Sequence, residues 1–166
     1  MHDKLVKVLR QLSIVCRASF VLSSGEKSEF YVDVKKAYGH HGALTLISDE
    51  LYKTIDENTT CIAAAGYGGL SPASVISSKY GLNLSLVRDR PKKHGLCKLI
   101  DGYLPEKTDR VAIIDDVFTT GGSLGKIIKA LEPTGAEILG CSVVVKRGGG
   151  QSNAPLSYLI TLEELL

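Results

Sequence analysis

The sequence has few features of a membrane, secreted or metal-binding protein. Its four cysteines form no C-x-x-C pair and no spacing typical of metal ligands. Cys61 and Cys141 lie inside apolar runs, as expected of buried, reduced thiols. No apolar run reaches the roughly 18 to 20 residues that a membrane span needs, and the N-terminus lacks an apolar signal core. We therefore expect a cytoplasmic protein with no membrane partner.

An excess of charge of either sign is also missing. The chain has 20 Lys and Arg against 18 Asp and Glu, a formal net charge of +2, which does not favour nucleic acid as a partner. There is no repeat, low-complexity tract or linker, so 166 residues with 44% hydrophobic content predict a single domain spanning 1–166. One short stretch is basic and is either a solvated loop or a site for a small, highly charged anion: Arg88, Arg90, Lys92, Lys93, His94 and Lys98.

Short apolar runs alternate with helical stripes along most of the chain. Strands are predicted at 61–65, 82–87, 111–114 and 138–145, and helices at 44–55, at 72–80 and from 122 onward. This order predicts an α/β fold with a central, mainly parallel sheet flanked by helices. Ligands of such sheets bind beyond the carboxyl ends of the strands, so the residues that follow each strand are the candidates for function.

The segment 111–123, VAIIDDVFTTGGS, combines a buried strand, two carboxylates and a loop that opens a helix. Its glycines allow a tight turn, and its amides and hydroxyls suit a phosphate. Asp115 and Asp116 would repel phosphate, so they need another partner, and vicinal sugar hydroxyls fit. The pattern therefore indicates a ribose 5-phosphate site; the alternative is that the acids cap a turn and the glycines end the strand. It is neither a Walker loop nor a dinucleotide fingerprint.

This segment resembles the sugar-diphosphate motif of type I phosphoribosyltransferases. The resemblance implies that Asp115 and Asp116 are catalytic residues that hold the ribose hydroxyls, and that the following loop holds the 5-phosphate. The substrate-binding residues it implies beyond the acids are Val117, Phe118, Thr119, Thr120, Gly121, Gly122 and Ser123.

Three further segments are similar to orotate phosphoribosyltransferases. The first, 20–33, resembles a stretch F-x-L-x-S-G-x-x-S-x-Y-Y-x-D, which implies a small N-terminal hood over the base with Ser24, Phe30 and Tyr31. The second, 143–148, resembles a strand end whose arginine reads the base. It implies that Arg147 pairs with the carboxylate of orotate, a bidentate task suited to guanidinium.

The third segment, 88–95, resembles a mobile loop R-K-x-x-K-x-H-G, with Asp89 in place of the lysine. The resemblance implies that Arg88, Lys92 and His94 close over the diphosphate, with Lys92 and His94 as catalytic residues. Cationic donors stabilise the charge that develops on this leaving group, and a histidine is suited to protonate it. A small-residue loop after the strand 61–65 resembles the family's diphosphate loop and comprises Ala65, Gly66, Tyr67, Gly68 and Gly69.

Together these resemblances imply the transfer of ribose 5-phosphate from 5-phospho-α-D-ribose 1-diphosphate to orotate. They imply Mg²⁺ as the cofactor, with no direct protein ligand, and a homodimer with shared active sites. Two alternatives stay open: an enzyme of the same superfamily that acts on a purine or on uracil, and a non-catalytic regulator that senses the sugar diphosphate.

Overall fold

The computed structural model describes residues 2–21, 27–90 and 99–166. Two 3₁₀ turns, Glu132–Thr134 and Glu163–Leu165, accompany its helices and strands. In chain order these are α1 (His2–Gln11), β1 (Val15–Val21), β2 (Lys27–Val32), α2 (Lys35–Tyr38), α3 (His41–Tyr52), β3 (Cys61–Ala65), α4 (Gly66–Tyr80), β4 (Asn83–Val87), β5 (Ile100–Gly102), β6 (Arg110–Phe118), α5 (Gly122–Leu131), β7 (Glu137–Lys146) and β8 (Leu156–Thr161).

The central sheet has six strands in the order β5-β4-β3-β6-β7-β8. All neighbours are parallel except β5, which pairs antiparallel with β4 at the edge. This confirms the α/β fold and the mainly parallel sheet. The short strand β5 was not predicted, because three residues with a single buried member carry no periodic signal.

Helices cover both faces of the sheet, as expected. On β3 the side chains of Ile62 and Ala64 pack in one apolar cluster, together with α1, α3 and α4. Their neighbours Cys61 and Ala63 point the other way and pack with α5. This alternation follows from the two-residue period of a strand. Within the described residues, none of the helices combines the length and the apolar character that crossing a membrane requires.

The strand order reverses direction between β3 and β6. The chain leaves β3 towards β4 on one side, whereas it leaves β6 towards β7 on the other. The connections therefore diverge and open a crevice at the carboxyl ends of these two strands, where open α/β sheets bind their ligands.

A separate two-stranded sheet precedes the central one. β1 and β2 pair antiparallel from Val15↔Val32 to Val21↔Lys27, with an irregularity after Arg17. The hairpin expected at the N-terminus is thus present, with β1 starting earlier than predicted. Ser24, expected at its turn, lies outside the described residues.

Three predicted boundaries were wrong. β6 was expected to stop before the acidic pair but continues to Phe118, because its partner β7 extends equally far and pairs Phe118 with Lys146. The small-residue segment after β3 was expected to be a loop, but α4 already begins at Gly66. The helix predicted to reach residue 55 ends at Tyr52. For β6, pairing with a strand distant in sequence decides where the element ends.

Candidate active site

A pocket of about 430 Å³ opens at the carboxyl edge of the sheet. Its wall contains Ala65 from the end of β3, Arg88 from the end of β4, and the run 115–123. This run comprises the end of β6, the loop after it and the start of α5. Strand ends far apart in sequence therefore meet where the topology predicted. Asp89 and Lys126 also line the pocket and were not predicted to belong to the site.

The acidic pair occupies the end of β6. Asp115 is 5% exposed, and its Oδ1 accepts a hydrogen bond from the amide of Asp116 at 3.0 Å. Burial, followed by the charge of Asp116, raises the pKa of Asp115 to about 6, although a hydrogen bond with Ser123 acts in the opposite direction. Perturbed carboxylates of this kind are typical of functional sites.

Lys35, at the start of α2, holds the second acid. Its Nζ lies 3.2 Å from Asp116 Oδ2 and 3.5 Å from Asp33 Oδ1. Burial is the largest single effect and opposes the charged lysine, but the charge and hydrogen bond of Asp116, together with Tyr31 and Asp33, raise the pKa of Lys35. The ion pair links the end of the N-terminal hairpin to the acidic pair. Sequence reasoning missed Lys35, because nothing local relates it to a residue 81 positions away.

The first turn of α4 packs against Asp116. A Cβ on Gly68 would lie 2.5 Å from Asp116 Oδ1, so a larger residue at this position would displace the carboxylate of Asp116. Pro72 lacks the amide hydrogen that would bond the carbonyl of Gly68 four residues earlier. Instead the hydroxyl of Tyr38 donates to the oxygen of Gly68 at 2.9 Å. Burial, together with the charges of Asp116 and Asp115, raises the pKa of Tyr38, which therefore stays a donor.

The loop after β6 brings a helix N-terminus into the pocket. Gly121 adopts a left-handed conformation with φ of 87°, and α5 begins at the next residue. Gly121 has no side chain that could cap the helix, and Gly122 and Ser123 of the first turn line the pocket. The amides of a first helical turn have no partners inside the helix and favour anions.

Arg88 reaches the pocket from the end of β4. Its Nε forms an ion pair with Asp101 Oδ2 of the edge strand β5, and its amide donates to the carbonyl of Leu99 at 2.8 Å. The acidic partner was not predicted, since β5 was not. The other two predicted cations of this loop, Lys92 and His94, lie outside the described residues.

Several predicted residues do not belong to the described part of the pocket wall. Arg147 follows β7 at the same edge, and its amide donates to the carbonyl of Phe118 at 2.9 Å. Phe30 in β2 lies under the guanidinium of Arg17, 5.3 Å from the ring centre, and Tyr31 is 39% exposed. Of the predicted diphosphate-loop residues, Ala65 lines the pocket. Gly66, Tyr67, Gly68 and Gly69 form the first turn of α4 and are not part of the described wall.

Comparisons with known proteins agree with this arrangement. The family model described as phosphoribosyl transferase domain matches residues 36–155. Over 99% of this chain and 91% of the relative, the sequence is 34% identical to orotate phosphoribosyltransferase of Methanopyrus kandleri. The chain belongs to the orotate phosphoribosyltransferase family.

Solved orotate phosphoribosyltransferases share its architecture. The Aeropyrum pernix structure superimposes with a TM-score of 0.85 at 30% identity and covers 98% of this chain and 96% of its own. The Mycobacterium tuberculosis structure, in complex with 5-phospho-α-D-ribosyl 1-diphosphate (PRPP), gives 0.75 at 27% identity and covers 99% and 98%. The fold expected from the resemblance is therefore confirmed.

Ionisation of Asp115 is expected to destabilise the folded protein. Its pKa is raised from 3.8 to about 6, so between these values the unfolded chain loses a proton that the folded chain keeps. The free energy of unfolding should therefore fall as pH rises from about 4 to about 6. Above about pH 6 the contribution of Asp115 should no longer change with pH. Urea denaturation of wild type and Asp115→Asn across this range measures the effect. The free energy of unfolding of wild type, relative to that of Asp115→Asn, should fall between about pH 4 and about pH 6, so that the variant is the more stable protein at pH 7. If the two free energies changed with pH in parallel, the prediction would be contradicted.

Proposed function

We propose that this protein transfers ribose 5-phosphate from PRPP to N1 of orotate, forming orotidine 5′-monophosphate and diphosphate in pyrimidine nucleotide synthesis. The observation that carries the proposal is one pocket in which an acidic pair, with Asp115 buried, adjoins a glycine loop and a helix N-terminus. Membership of the orotate phosphoribosyltransferase family supports the choice of substrates. The relative from M. tuberculosis binds PRPP.

The two halves of the pocket suit the two ends of ribose 5-phosphate. The amides and hydroxyls of residues 119–123 bind the phosphate, whose charge the helix N-terminus favours. Asp115 and Asp116 accept hydrogen bonds from the ribose 2- and 3-hydroxyls and hold C1 towards the base. Lys35 keeps the net charge beside the sugar low, since it pairs with Asp116.

Charge develops on the diphosphate as its bond to C1 breaks. Arg88, Lys92 and His94 stabilise that charge, and the amides at 65–69 approach the same group. No covalent nucleophile takes part; positioning and charge stabilisation lower the barrier. Arg147 pairs with the orotate carboxylate, and Ser24, Phe30 and Tyr31 of the hairpin cover the base.

Mg²⁺ suits this site as an ion that the substrate brings. Among the described residues there is no cluster of three or more side chains able to hold a metal. Asp116 is already paired with Lys35, and Asp115 is buried, so neither is poised as a principal ligand. Oxygens of the diphosphate and ribose would hold the ion, and Asp115 and Asp116 would contact its waters. When bound, it neutralises charge on the leaving group.

The basic loop implies a shared site in a homodimer, in which Lys92 and His94 close over the diphosphate of the neighbouring subunit. We place the enzyme in the cytoplasm, where the free cysteines remain reduced and both substrates are available. No nucleic acid takes part.

The purified protein is expected to consume orotate when PRPP and Mg²⁺ are present. Loss of orotate absorbance measures turnover, and chelating the Mg²⁺ should stop it. Uracil, adenine and hypoxanthine, tested at the same concentration, should give no comparable rate. Turnover with one of these and none with orotate would favour another phosphoribosyltransferase; PRPP binding without turnover of any base would favour a regulator.

A further inference from the structure

The connection between β7 and β8 has an unusual form. Neighbouring parallel strands need a crossover connection of a dozen or more residues, which usually contains an α-helix. Here residues 147–155 make the crossover without a helix or strand, and they begin with Arg147 and three consecutive glycines. None of the motifs identified in the sequence explains Gly148, Gly149 and Gly150.

The crossover runs against the proposed phosphate loop. The amide of Gly150 donates to the carbonyl of Thr119 at 3.2 Å, and the amide of Arg147 donates to that of Phe118 at 2.9 Å. Both bonds tie the crossover to the backbone where β6 ends and the loop starts.

Gly148 and Gly150 lie so close to the backbone of the proposed phosphate loop that a side chain on either one would collide with it. A Cβ on Gly148 would lie 2.7 Å from the oxygen of Thr119, and one on Gly150 would lie 2.6 Å from that oxygen and from Cα of Thr120. These neighbours are backbone atoms, which no change of side-chain rotamer can move aside. A Cβ on Gly149, in contrast, would meet nothing within 4 Å.

The contact is reciprocal. Gly121, the left-handed residue before α5, would place a Cβ 2.5 Å from the carbonyl oxygen of Gln151. The loop and the crossover are therefore packed backbone to backbone on both sides. A shift in either one must move the other, because neither contains a flexible group at the contact.

We propose that Gly148 and Gly150 position the 5-phosphate loop, so that the crossover sets the direction of the loop amides and through them the affinity for the phosphate of the sugar. The inference rests on the proposed function of residues 119–123. It assigns to the crossover a selective role, in binding of the 5-phosphate and not of the diphosphate. Misplacement of binding groups by about 1 Å costs on the order of 100-fold.

The variant Gly150→Ala is expected to raise KM for PRPP and Kd for ribose 5-phosphate by about 10- to 100-fold. Inhibition by inorganic diphosphate should be unchanged, because that group binds at the other end of the sugar. Gly149→Ala is the matched control: it makes the same change one residue away, in open space and without left-handed strain, and should equal wild type in every assay. Calorimetry and steady-state kinetics measure these values.

Gly150→Ala with wild-type affinity for ribose 5-phosphate would overturn the inference, and so would an equal loss of affinity for diphosphate. Should this variant not fold, titration of the wild type, followed by amide resonances, supplies the test. Ribose 5-phosphate should shift the Gly150 amide with the same Kd as those of Gly121 and Gly122. A Gly150 amide that stays still while theirs move rejects the inference alone. If ribose 5-phosphate shifts none of them, the proposed function fails as well.

Discussion

Replacing Asp115 and Asp116 together by asparagine is expected to lower kcat/KM for PRPP by about 10²- to 10⁴-fold. A hydrogen bond to a charged group contributes about 1.5 to 3 kcal/mol, and each 1.4 kcal/mol is tenfold. In the proposed complex each carboxylate accepts a hydrogen bond from a ribose hydroxyl. An asparagine side chain has one uncharged acceptor oxygen, and its NH2 group can only donate. Steady-state kinetics with PRPP varied at saturating orotate give the ratio.

The control for this pair is Asp56→Asn. Asp56 is exposed at the opposite edge of the sheet, before β3, and accepts a hydrogen bond from the amide of Asn58 at 2.8 Å. Its variant should keep wild-type kinetics. The single variants of the acidic pair should not simply add, because the two carboxylates are adjacent and interact. A double variant that is folded and retains full activity would rule out the acids as the ribose site.

The second large effect is expected from Lys92→Ala, which should reduce kcat by about 10²- to 10³-fold, as removal of a transition-state donor does. Binding of PRPP should change little, since the 5-phosphate and the ribose are held elsewhere. Lys92 lies outside the described residues, so this prediction rests on the resemblance of residues 88–95 to the family's loop. Single-turnover kinetics and calorimetry separate the two quantities.

Lys93→Ala is the matched control, because Lys93 has the same charge and stands at a position that the family's loop pattern leaves open. It should lower kcat far less than Lys92→Ala. Equal losses from both variants would show that only the net charge of the loop matters. An unchanged kcat for Lys92→Ala would remove this residue from the mechanism.

The ion pair between Arg88 and Asp101 bears on the same loop. The partner comes from β5, so the edge strand holds the first cation of the loop at the mouth of the pocket. In the proposed complex, the diphosphate would compete with the carboxylate of Asp101 for the guanidinium of Arg88. Sequence reasoning assigned Arg88 to the site. It could not predict that Asp101 is its partner, because the strand β5 was not predicted.

The local parts of this protein could be predicted from the sequence. The acids, the loop and the helix start lie within residues 111–123, so one contiguous pattern already contains a strand end, a candidate anion site and their order. Buried strands such as β3 also appear as short apolar runs, because parallel strands are covered on both faces. These features gave the fold class, the family and most of the pocket wall.

Only the tertiary structure decided which distant groups complete the site. Lys35 contacts Asp116, the hydroxyl of Tyr38 replaces the bond that Pro72 cannot make to Gly68, and Gly150 packs on Thr119. Each of these contacts joins segments separated by many residues, and each depends on how strands and helices are placed. Sequence periodicity reports on neighbours along one element, whereas the charge balance and the shape of this pocket are set across several.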